Sequence, residues 1–279
     1  MEVVRSTLEG AKLRHSRLRA RREVLQRLVL GRRGPLGAGV TLVEKPMAAS
    51  RVGDRMGESV SPCRGRAETD LSGFSSLAEL REAALLCEKC PSLVAFRHGV
   101  VFGVGNESAE LMFVGEAPGA DEDLQGEPFV GKAGQLLTKI IEAMGLRRED
   151  VYIANVLKCR PDMPAGAAGN RKPKAEEMAT CLPWLRRQIE LIRPKVMVAL
   201  GATAAEGLLG VTGPIGKMRG QWQDFCGKPV MVTYHPAYLL RNQSIGEKRK
   251  VWEDMLKVLE RLGRPISEKQ RKFFTSAGA

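Results

Sequence analysis

Residues 111–137 constrain the fold of this chain more than any other stretch. The stretch opens with the apolar run LMFV, which predicts a buried strand, and breaks directly into the turn GEAPG. An acidic segment follows, and the helix-forming sequence GKAGQLLTKIIEAMG closes it. Strand, turn, polar loop and helix in this order are typical of a ligand site at the carboxyl edge of a parallel sheet. Gly115 and Gly119 allow the backbone to approach a ligand closely, and Pro118 stiffens the turn between them.

Short apolar segments alternate with helical segments along the rest of the chain. Strands are predicted at residues 111–114, 151–156, 195–200 and 230–234, and helices at 132–144, 174–192, 202–209 and 246–262. An earlier helix is predicted to begin after Ser75 or Ser76, since either is a suitable N-cap. This alternation predicts the α/β class, a three-layer α/β/α sandwich with a central, mainly parallel four-stranded sheet. The strands end on glycine or polar residues, so several loops are expected to meet at one sheet edge.

Charge divides the chain into a basic N-terminal part and a nearly neutral remainder. The formal charge is +12; residues 1–66 hold 15 Lys and Arg against 6 Asp and Glu, and residues 67–279 hold 29 against 26. Residues 35–72 are rich in Gly, Pro, Ser and charge with little periodicity, which is typical of disorder. We therefore expect a disordered basic extension at residues 1–72, one folded domain at 73–265 and a tail at 266–279.

Four of the six cysteines form a pattern that predicts metal binding. The six are Cys63, Cys87, Cys90, Cys159, Cys181 and Cys226. The second and third form a C-x-x-C motif, the fourth follows a predicted strand, and the fifth lies in a predicted helix. Four thiolates suit either structural zinc or an iron–sulfur cluster, and their spacing alone does not choose between the two. Cys63 lies in the extension, and Cys226 is interpreted as a buried or incidental thiol.

Polar residues at two strand ends are candidate ligand-binding groups. Asn155 ends the second predicted strand and faces the same sheet edge as Glu116, which follows the first. An asparagine in this place is most often a turn residue, but its amide offers one acceptor and two donors, which suits reading the edge of a nucleobase. Phe129 is by default a core residue, although an aromatic between a glycine-rich loop and a helix can also stack on a flat ligand.

His235 begins a candidate DNA-contacting segment. It ends the last predicted strand, and a proline fixes the backbone after it. Two leucines, Leu239 and Leu240, are followed by Arg241, and an apolar wedge beside a cation is how proteins enter a base stack while they hold the phosphates. His98, in FRHGVVFG, is instead interpreted as a loop histidine whose hydrogen bonds are satisfied.

Residues 126–133 nearly match the phosphate-binding loop G-x-x-x-x-G-K-[ST]. The last position is Ala133, so the hydroxyl that would bind magnesium is absent. No predicted strand leads directly into Gly126 either. We therefore do not expect a nucleotide-dependent enzyme that uses this loop, an interpretation that measured ATP binding would revive.

These blocks together resemble the iron–sulfur uracil-DNA glycosylases, family 4 of the uracil-DNA glycosylase superfamily. The resemblance runs from about residue 80 to residue 262. It rests on GEAPG (115–119), PFVGKAGQLL (128–137), NVLKCRP (155–161), HPAYLLR (235–241) and the four cysteines, all in the same order. The basic extension departs from the family pattern, as do a few extra residues at 162–168, which are expected to lengthen a surface loop without moving the site.

The resemblance implies a DNA repair enzyme that flips uracil out of DNA and hydrolyses its N-glycosidic bond, leaving an abasic site for base excision repair. It implies a structural 4Fe–4S cluster held by Cys87, Cys90, Cys159 and Cys181. It implies that uracil is bound by Gly115, Glu116, Ala117, Phe129, Asn155 and His235, with Glu116, Asn155 and His235 as the catalytic residues. It implies that Leu239, Leu240 and Arg241 enter the duplex. The expected partner is uracil-containing DNA, and the expected state is a monomer in the bacterial or archaeal cytoplasm, with no membrane association.

The group that activates water is less well defined. In the superfamily's best-known branch an Asp stands at the place of Ala117, so activation is assigned to Glu116, with Glu122 or Asp123 as alternatives, or the step needs little base assistance. Ala117 and the absence of histidine from residues 160–174 also distinguish the chain from a branch that binds uracil-DNA covalently. An alternative of a different class is a non-catalytic iron–sulfur or zinc DNA-binding module, with residues 1–66 as its main contact.

Overall fold

The computed structural model describes residues 70–164 and 169–275. All described residues belong to one compact unit. The expected basic extension at residues 1–72, with its expected disorder, therefore lies outside the described residues except for its last three positions. Residues 165–168, within the expected loop insertion, also lie outside them.

In the described part of the chain six strands form one sheet, and its centre is the parallel sheet that the sequence predicts. The strands are β1 (Val104–Gly105), β2 (Leu111–Gly115), β3 (Tyr152–Asn155), β4 (Val196–Leu200), β5 (Trp222–Phe225) and β6 (Lys228–Thr233). Their order in the sheet is β1-β3-β2-β4-β6-β5. The four central strands are parallel, whereas β1 and β5 pair antiparallel at the two edges. The α/β class and the parallel four-stranded centre are thus confirmed.

The two edge strands are absent from the sequence prediction. β1 has only two residues, which is too short for an alternating pattern to be read. β5 has the sequence WQDF and is only partly buried, so its apolar content is diluted by polar residues. Its hairpin to β6 turns at Cys226, which has a φ of 56°. Cys226 is exposed, which excludes the buried alternative of its sequence interpretation.

Helices cover both faces of the sheet. They are α1 (Leu77–Leu85), α2 (Pro91–Phe96), α3 (Ala120–Gln125), α4 (Lys132–Ala143), α5 (Ala175–Ile192), α6 (Ala202–Leu209), α7 (Ile215–Met218), α8 (Pro236–Arg241), α9 (Ile245–Arg261) and α10 (Glu268–Arg271). The long helices α4, α5, α6 and α9 lie within one residue of their predicted bounds, and Ser76 caps α1 as predicted. The short ones were outside the prediction because four to six residues are too few for a helical period to show. No helix among the described residues is long and apolar enough to cross a membrane.

Each face of the sheet carries its own core. Met112 and Val114 of β2 pack with residues of α1, α5 and α6, whereas Leu111 and Phe113 pack with residues of α4 and α9. Because both faces are covered, every residue of β2 is buried, which explains why this strand has a continuous apolar sequence rather than an alternating one.

The segment after α9 packs against the domain. The indole N–H of Trp252 donates to the carbonyl of Gln270 at 2.6 Å, and the side-chain amide of Gln270 donates to the carbonyl of Ala143 at 2.9 Å. Phe273 packs on the core beside α9. The described part of the expected tail, residues 266–275, is therefore joined to α4 and α9 by hydrogen bonds and apolar contacts.

Gly134 allows α4 to approach the loop that precedes it. A Cβ atom placed on Gly134 would lie 1.8 Å from the carbonyl oxygen of Phe129 and 2.0 Å from its carbonyl carbon. No side chain fits in this space, so the absence of a Cβ at this position lets the loop bearing Phe129 fold down on the first turn of the helix.

Two glycine substitutions in helices are expected to have opposite effects on stability. Gly134→Ala should lower the free energy of unfolding by about 2 kcal/mol or more, because backbone atoms must move to relieve the overlap. Gly246→Ala, in the first turn of α9 with open space around it, should raise it by up to about 1 kcal/mol. Urea unfolding of both variants measures the two values, and equal effects would contradict the proposed contact.

Candidate active site

The carboxyl ends of neighbouring parallel strands bring the candidate residues together. Gly115 ends β2 and is paired in register with Asn155, which ends β3. His235 follows β6 and lies against Gly201 at the end of β4, where a Cβ on the glycine would lie 3.1 Å from the Cβ of His235. Residues that are up to 120 positions apart in the chain therefore meet at one sheet edge, as the strand pattern predicts.

Gly115 is the point at which the site is most closely packed. A Cβ placed on Gly115 would lie 2.3 Å from the Oδ1 of Asn155 and 2.5 Å from the Cζ of Phe129. A side chain at this position would displace both the amide and the ring. The structure thus brings Gly115, Asn155 and Phe129 together, and glycine is required for this contact.

The amide of Asn155 is buried and has an unused acceptor. Asn155 is 2% exposed, and its Oδ1 has no hydrogen-bond partner among the described residues. A buried acceptor without a partner costs about 1–3 kcal/mol, and such groups in folded proteins usually have a functional reason. The Oδ1 of Asn155 can therefore still accept a hydrogen bond from a donor at this sheet edge.

Phe129 is held in a strained conformation over the site. Its φ of 55° is in the left-handed region, which non-glycine residues adopt at a cost of about 1–3 kcal/mol. The guanidinium of Arg148 donates to the carbonyl of Pro128 at 2.7 Å and so fixes the loop just before the ring. The ring is 6% exposed and stacks on His235, with the ring centroids 5.6 Å apart and an interplanar angle of 30°.

His235 is a neutral imidazole with a defined tautomer. Its Nδ1 accepts a hydrogen bond from the backbone N–H of Ala237 at 3.1 Å and so caps α8. Burial, reinforced by the positive charge of Arg241, lowers the pKa of His235 to about 4, although the carboxylate of Glu122 opposes the shift. Since Nδ1 is an acceptor, the ring proton of the neutral form lies on Nε2, and this N–H is available to donate to a ligand.

Glu116 is a partly buried carboxyl group beside residues that the sequence did not indicate. Burial raises the pKa of Glu116, while a hydrogen bond with Thr203 and the charge of Lys172 oppose the shift. The ammonium group of Lys172 lies 2.6 Å from a carboxylate oxygen of Glu206. Thr203, Lys172 and Glu206 come from α6 and the segment before α5, and no local motif marks them.

The other two candidate carboxylates are fully engaged with the protein. Glu122 accepts hydrogen bonds from the backbone N–H groups of Gly119, Val130 and Gly131, each at 3.0 Å. Asp123 is 2% exposed and accepts from the backbone and the ring of His98, which explains why His98 is a satisfied loop histidine as interpreted. Within residues 126–133, Glu122 occupies the backbone N–H groups of Val130 and Gly131, so these two are not free to bind a phosphate.

Only part of the segment Leu239 to Arg241, which is expected to enter DNA, is exposed. The segment lies in the short helix α8, in which Leu239 is 5% exposed and packs in a small apolar cluster. Leu240 is 38% exposed, and Arg241 is exposed beside it. In this conformation Leu240 and Arg241 face solvent, and Leu239 instead anchors the helix.

The four cysteines expected to hold a cluster lie near one another. Cys87 follows α1 and Cys90 caps α2, whereas Cys159 lies beyond β3 and Cys181 lies within α5. None of the four forms a disulfide bond. Burial raises the pKa of the Cys181 thiol to about 12, and the nearby thiols of Cys159 and Cys87 add to the shift.

A buried lysine stands beside these thiols. Lys158 is 1% exposed, and its ammonium group donates to the Oε1 of Gln188 at 2.5 Å. Its backbone N–H donates to the sulfur of Cys181 at 3.2 Å. Burial lowers the pKa of Lys158 to about 7, and the thiols of Cys181 and Cys159 oppose this shift because they favour a positive charge nearby.

The donor set has the chemistry of a thiolate metal centre. Cys87, Cys90, Cys159 and Cys181 are all reduced, and the pKa values of three of these thiols are raised partly by other members of the set. Within residues 70–164 and 169–275, no three His, Cys, Asp or Glu side chains are arranged to hold a metal ion as they stand. Thiolates bind structural zinc as well as iron–sulfur clusters, so the donor chemistry suits either kind of centre.

Comparisons with known proteins agree with these features. A family model described as the uracil DNA glycosylase superfamily matches residues 102–256, which include the pocket residues at 115–241. The chain is 50% identical to a type-4 uracil-DNA glycosylase of Thermotoga maritima over 173 residues, 61% of this chain and 86% of the relative. It is 44% identical to the type-4 enzyme of Archaeoglobus fulgidus over 199 residues, 68% of this chain and 96% of the relative. For the type-4 enzyme of Saccharolobus solfataricus the identity is 44% over 191 residues, 65% of this chain and 84% of the relative.

The protonation state of His235 can be measured by NMR. We expect the ring nitrogen signals at pH 6 to show a neutral ring with its proton on Nε2, and to change only as the pH approaches about 4. In urea the same ring should titrate near its ordinary value of 6.5. A charged folded-state ring at pH 6 would contradict the assignment.

The same shift makes a stability prediction. Because the pKa of His235 is lower in the folded state, the folded chain binds fewer protons than the unfolded chain. The contribution of His235 to stability is therefore present above about pH 6.5 and is lost as the pH falls from 6.5 towards 4. Urea unfolding across this pH range gives the free energy of unfolding of wild type and of His235→Gln. The difference between these two free energies should shrink as the pH falls.

Proposed function

The chain belongs to the uracil DNA glycosylase superfamily, and we propose that it is a DNA repair enzyme that flips uracil out of DNA and hydrolyses its N-glycosidic bond. The reaction leaves an abasic site for base excision repair. The observation that carries this proposal is the buried Asn155 amide, whose Oδ1 lacks a partner among the described residues and lies beside Gly115 and Phe129. A base taken out of the stack would offer both a flat ring and a hydrogen-bonding edge to this place.

Asn155 is proposed to distinguish uracil from cytosine. The amide oxygen accepts the N–H at position 3 of uracil, and the amide nitrogen donates to the neighbouring carbonyl oxygen. Cytosine presents an acceptor and a donor in the opposite order, so both contacts would become repulsive. Phe129 supports the face of the base by stacking, and the glycine at position 115 leaves room for its edge.

His235 is proposed to stabilise the leaving base. Cleavage of the N-glycosidic bond places negative charge on the departing uracil and positive charge on the sugar. A neutral imidazole that donates from Nε2 stabilises the developing charge on a uracil oxygen without having to lose a proton. The low pKa keeps His235 in this neutral form at physiological pH, and the cap of α8 keeps the ring in place.

Glu116 is proposed to orient or activate the attacking water. Glu122 and Asp123 each accept several hydrogen bonds from the protein. Glu116 instead has Thr203 as its hydrogen-bond partner and Lys172 as a nearby positive charge. Since the pKa of Glu116 is raised by burial, activity that depends on its ionised form should fall at a higher pH than an exposed glutamate would give. Ala117 cannot take part in proton transfer.

Leu240 and Arg241, but not Leu239, are proposed to contact DNA. Leu240 is the exposed apolar tip that fills the space left by the flipped base, and Arg241 contacts the phosphates. Leu239 holds the helix under them. The proposed partner is uracil-containing DNA, and the proposed state is a monomer in the cytoplasm.

The four cysteines are proposed to hold a 4Fe–4S cluster that orders the site without taking part in the chemistry. When bound, such a cluster supplies a rigid link between chain segments. Residues 155–159 connect the two sites directly, because the N–H of Val156 donates to Gly115 at 2.9 Å and that of Leu157 to Glu116 at 3.0 Å. A shift at Cys159 would therefore be transmitted to Asn155 within four residues.

Uracil release from a labelled oligonucleotide with a single uracil, followed by alkaline cleavage, tests the proposed function. We expect cleavage at uracil and none in a thymine control. Asn155→Ala and His235→Ala should each slow single-turnover cleavage by about 10²–10³-fold, as the loss of a preorganised hydrogen bond does. The matched control Asn106→Ala, in an exposed turn, should retain the wild-type rate. Wild-type rates in the two site variants would refute the assignment.

Chemical analysis of iron and acid-labile sulfide tests the cofactor. The wild-type protein should contain both and be brown, and Cys159→Ala should lose them and unfold at a lower temperature. Cys226→Ser, which lies outside the four-cysteine set, should retain the iron. An iron-loaded protein that binds DNA but releases no uracil would instead support the non-catalytic binding module.

A further inference from the structure

Arg97 joins two separate segments of the cysteine site. Its Nη1 donates to the sulfur of Cys159 at 2.8 Å, and its Nη2 donates to the carbonyl oxygen of Cys87 at 2.6 Å. The first segment follows β3 and the second follows α1, which are 72 residues apart in the chain. A guanidinium group presents several donors in a fixed plane, so it can hold both segments in one geometry.

The next residue of the chain, His98, is bound to helix α3, which precedes the loop that carries Phe129. The backbone N–H and the ring Nδ1 of His98 lie 3.0 Å and 2.7 Å from carboxylate oxygens of Asp123, which is almost completely buried. Because Arg97 and His98 are adjacent, no flexible spacer separates the contact with the cysteines from the contact with α3. Charge-assisted hydrogen bonds of this kind are among the stronger ones in proteins.

The same short helix holds the backbone directly after Phe129. Glu122, which precedes Asp123, accepts from the N–H groups of Val130 and Gly131 directly after the aromatic residue, and from Gly119 before the helix. The left-handed backbone of Phe129 is unfavourable by itself and persists only when its surroundings fix it. The two acidic residues of α3 are placed to supply that constraint.

We propose that Arg97, His98, Asp123 and Glu122 form a positioning chain that transmits the geometry of the cysteine site to Phe129. Arg97 fixes the position of residues 97–98 on the cysteines, Asp123 fixes α3 on His98, and Glu122 fixes the Phe129 loop on α3. None of the four touches the base, so they are positioning residues rather than catalytic ones. The proposal rests on the proposed function, since Phe129 is taken to stack on the flipped uracil.

Asp123→Asn tests the central link, because it keeps the shape of the side chain and removes its charge. We expect kcat for uracil release to fall about 10–100-fold, as for other residues that orient a binding group, with the KM for DNA within about twofold of wild type. Asp121→Asn is the matched control, since it lies on the same helix and is exposed. Iron content should be unchanged in both variants.

A double-substitution cycle separates positioning from a general loss of stability. In a Phe129→Ala background, Asp123→Asn should have little further effect, because the group that it positions is gone. The proposal would be overturned if the fold-reductions in kcat from Phe129→Ala and Asp123→Asn multiplied in the double variant. It would also be overturned if Asp123→Asn had the same kcat as Asp121→Asn. If Asp123→Asn does not fold, Arg97→Met provides the same cycle from the other end of the chain of contacts, with Arg97→Lys as the charge-retaining comparison.

Different results would overturn the proposed function and the positioning chain. A wild-type protein that releases no uracil would overturn the proposed function, and with it the stated role of Phe129. A wild-type protein that releases uracil, together with variants whose effects are independent of Phe129, would overturn only the positioning chain.

Discussion

The close contact of Gly115 with Asn155 and Phe129 is the constraint on which the rest of the site depends. Three chain segments meet here at distances that leave no room for a Cβ atom, so the strand ends, the glycine-rich loop and the start of α4 must be fitted to one another. Gly134 provides a second contact of the same kind, beneath the backbone of Phe129. A parallel sheet with both faces covered supplies the rigid edge from which such a contact can be built.

The hydrogen bonding of buried polar groups separates the site from its scaffold. Asp123 and Lys158 are as buried as Asn155, but the carboxylate accepts from His98 and the ammonium donates to Gln188, whereas the oxygen of the Asn155 amide has no partner among the described residues. A satisfied buried group strengthens the fold, and an unsatisfied one costs stability unless a ligand completes it. The proposed role of Asn155 in reading the base rests on this difference in partners, together with its place beside Gly115 and Phe129, rather than on residue type.

Burial also sets the protonation states at the sheet edge. It favours the neutral form of both His235 and Glu116, by lowering the pKa of the first and raising that of the second. For His235 the neutral form is the one that carries an Nε2–H donor, so desolvation favours the form that its proposed role needs. For Glu116 the same effect opposes ionisation, and the neighbouring Lys172 and Thr203 offset it. Burial therefore has opposite effects on the two pKa values, and its effect on Glu116 is opposed by Thr203 and Lys172, which belong to other elements.

The sequence by itself determined the α/β class, the parallel central strands, the helices α1, α4, α5, α6 and α9, and the sheet edge at which Gly115, Asn155 and His235 meet. These follow from local periodicity and from the rule that parallel strands end on one side, which hold over a few residues at a time. The tertiary structure decided which carboxylates accept hydrogen bonds from the protein, that Leu239 is buried while Leu240 is exposed, and that Arg97 contacts Cys159. These depend on contacts between residues tens of positions apart, and on helices of about six residues or fewer, for which local sequence carries no periodic signal. The cysteine pattern lies between the two, since spacing indicated a metal site and the structure brought the four reduced thiols near one another.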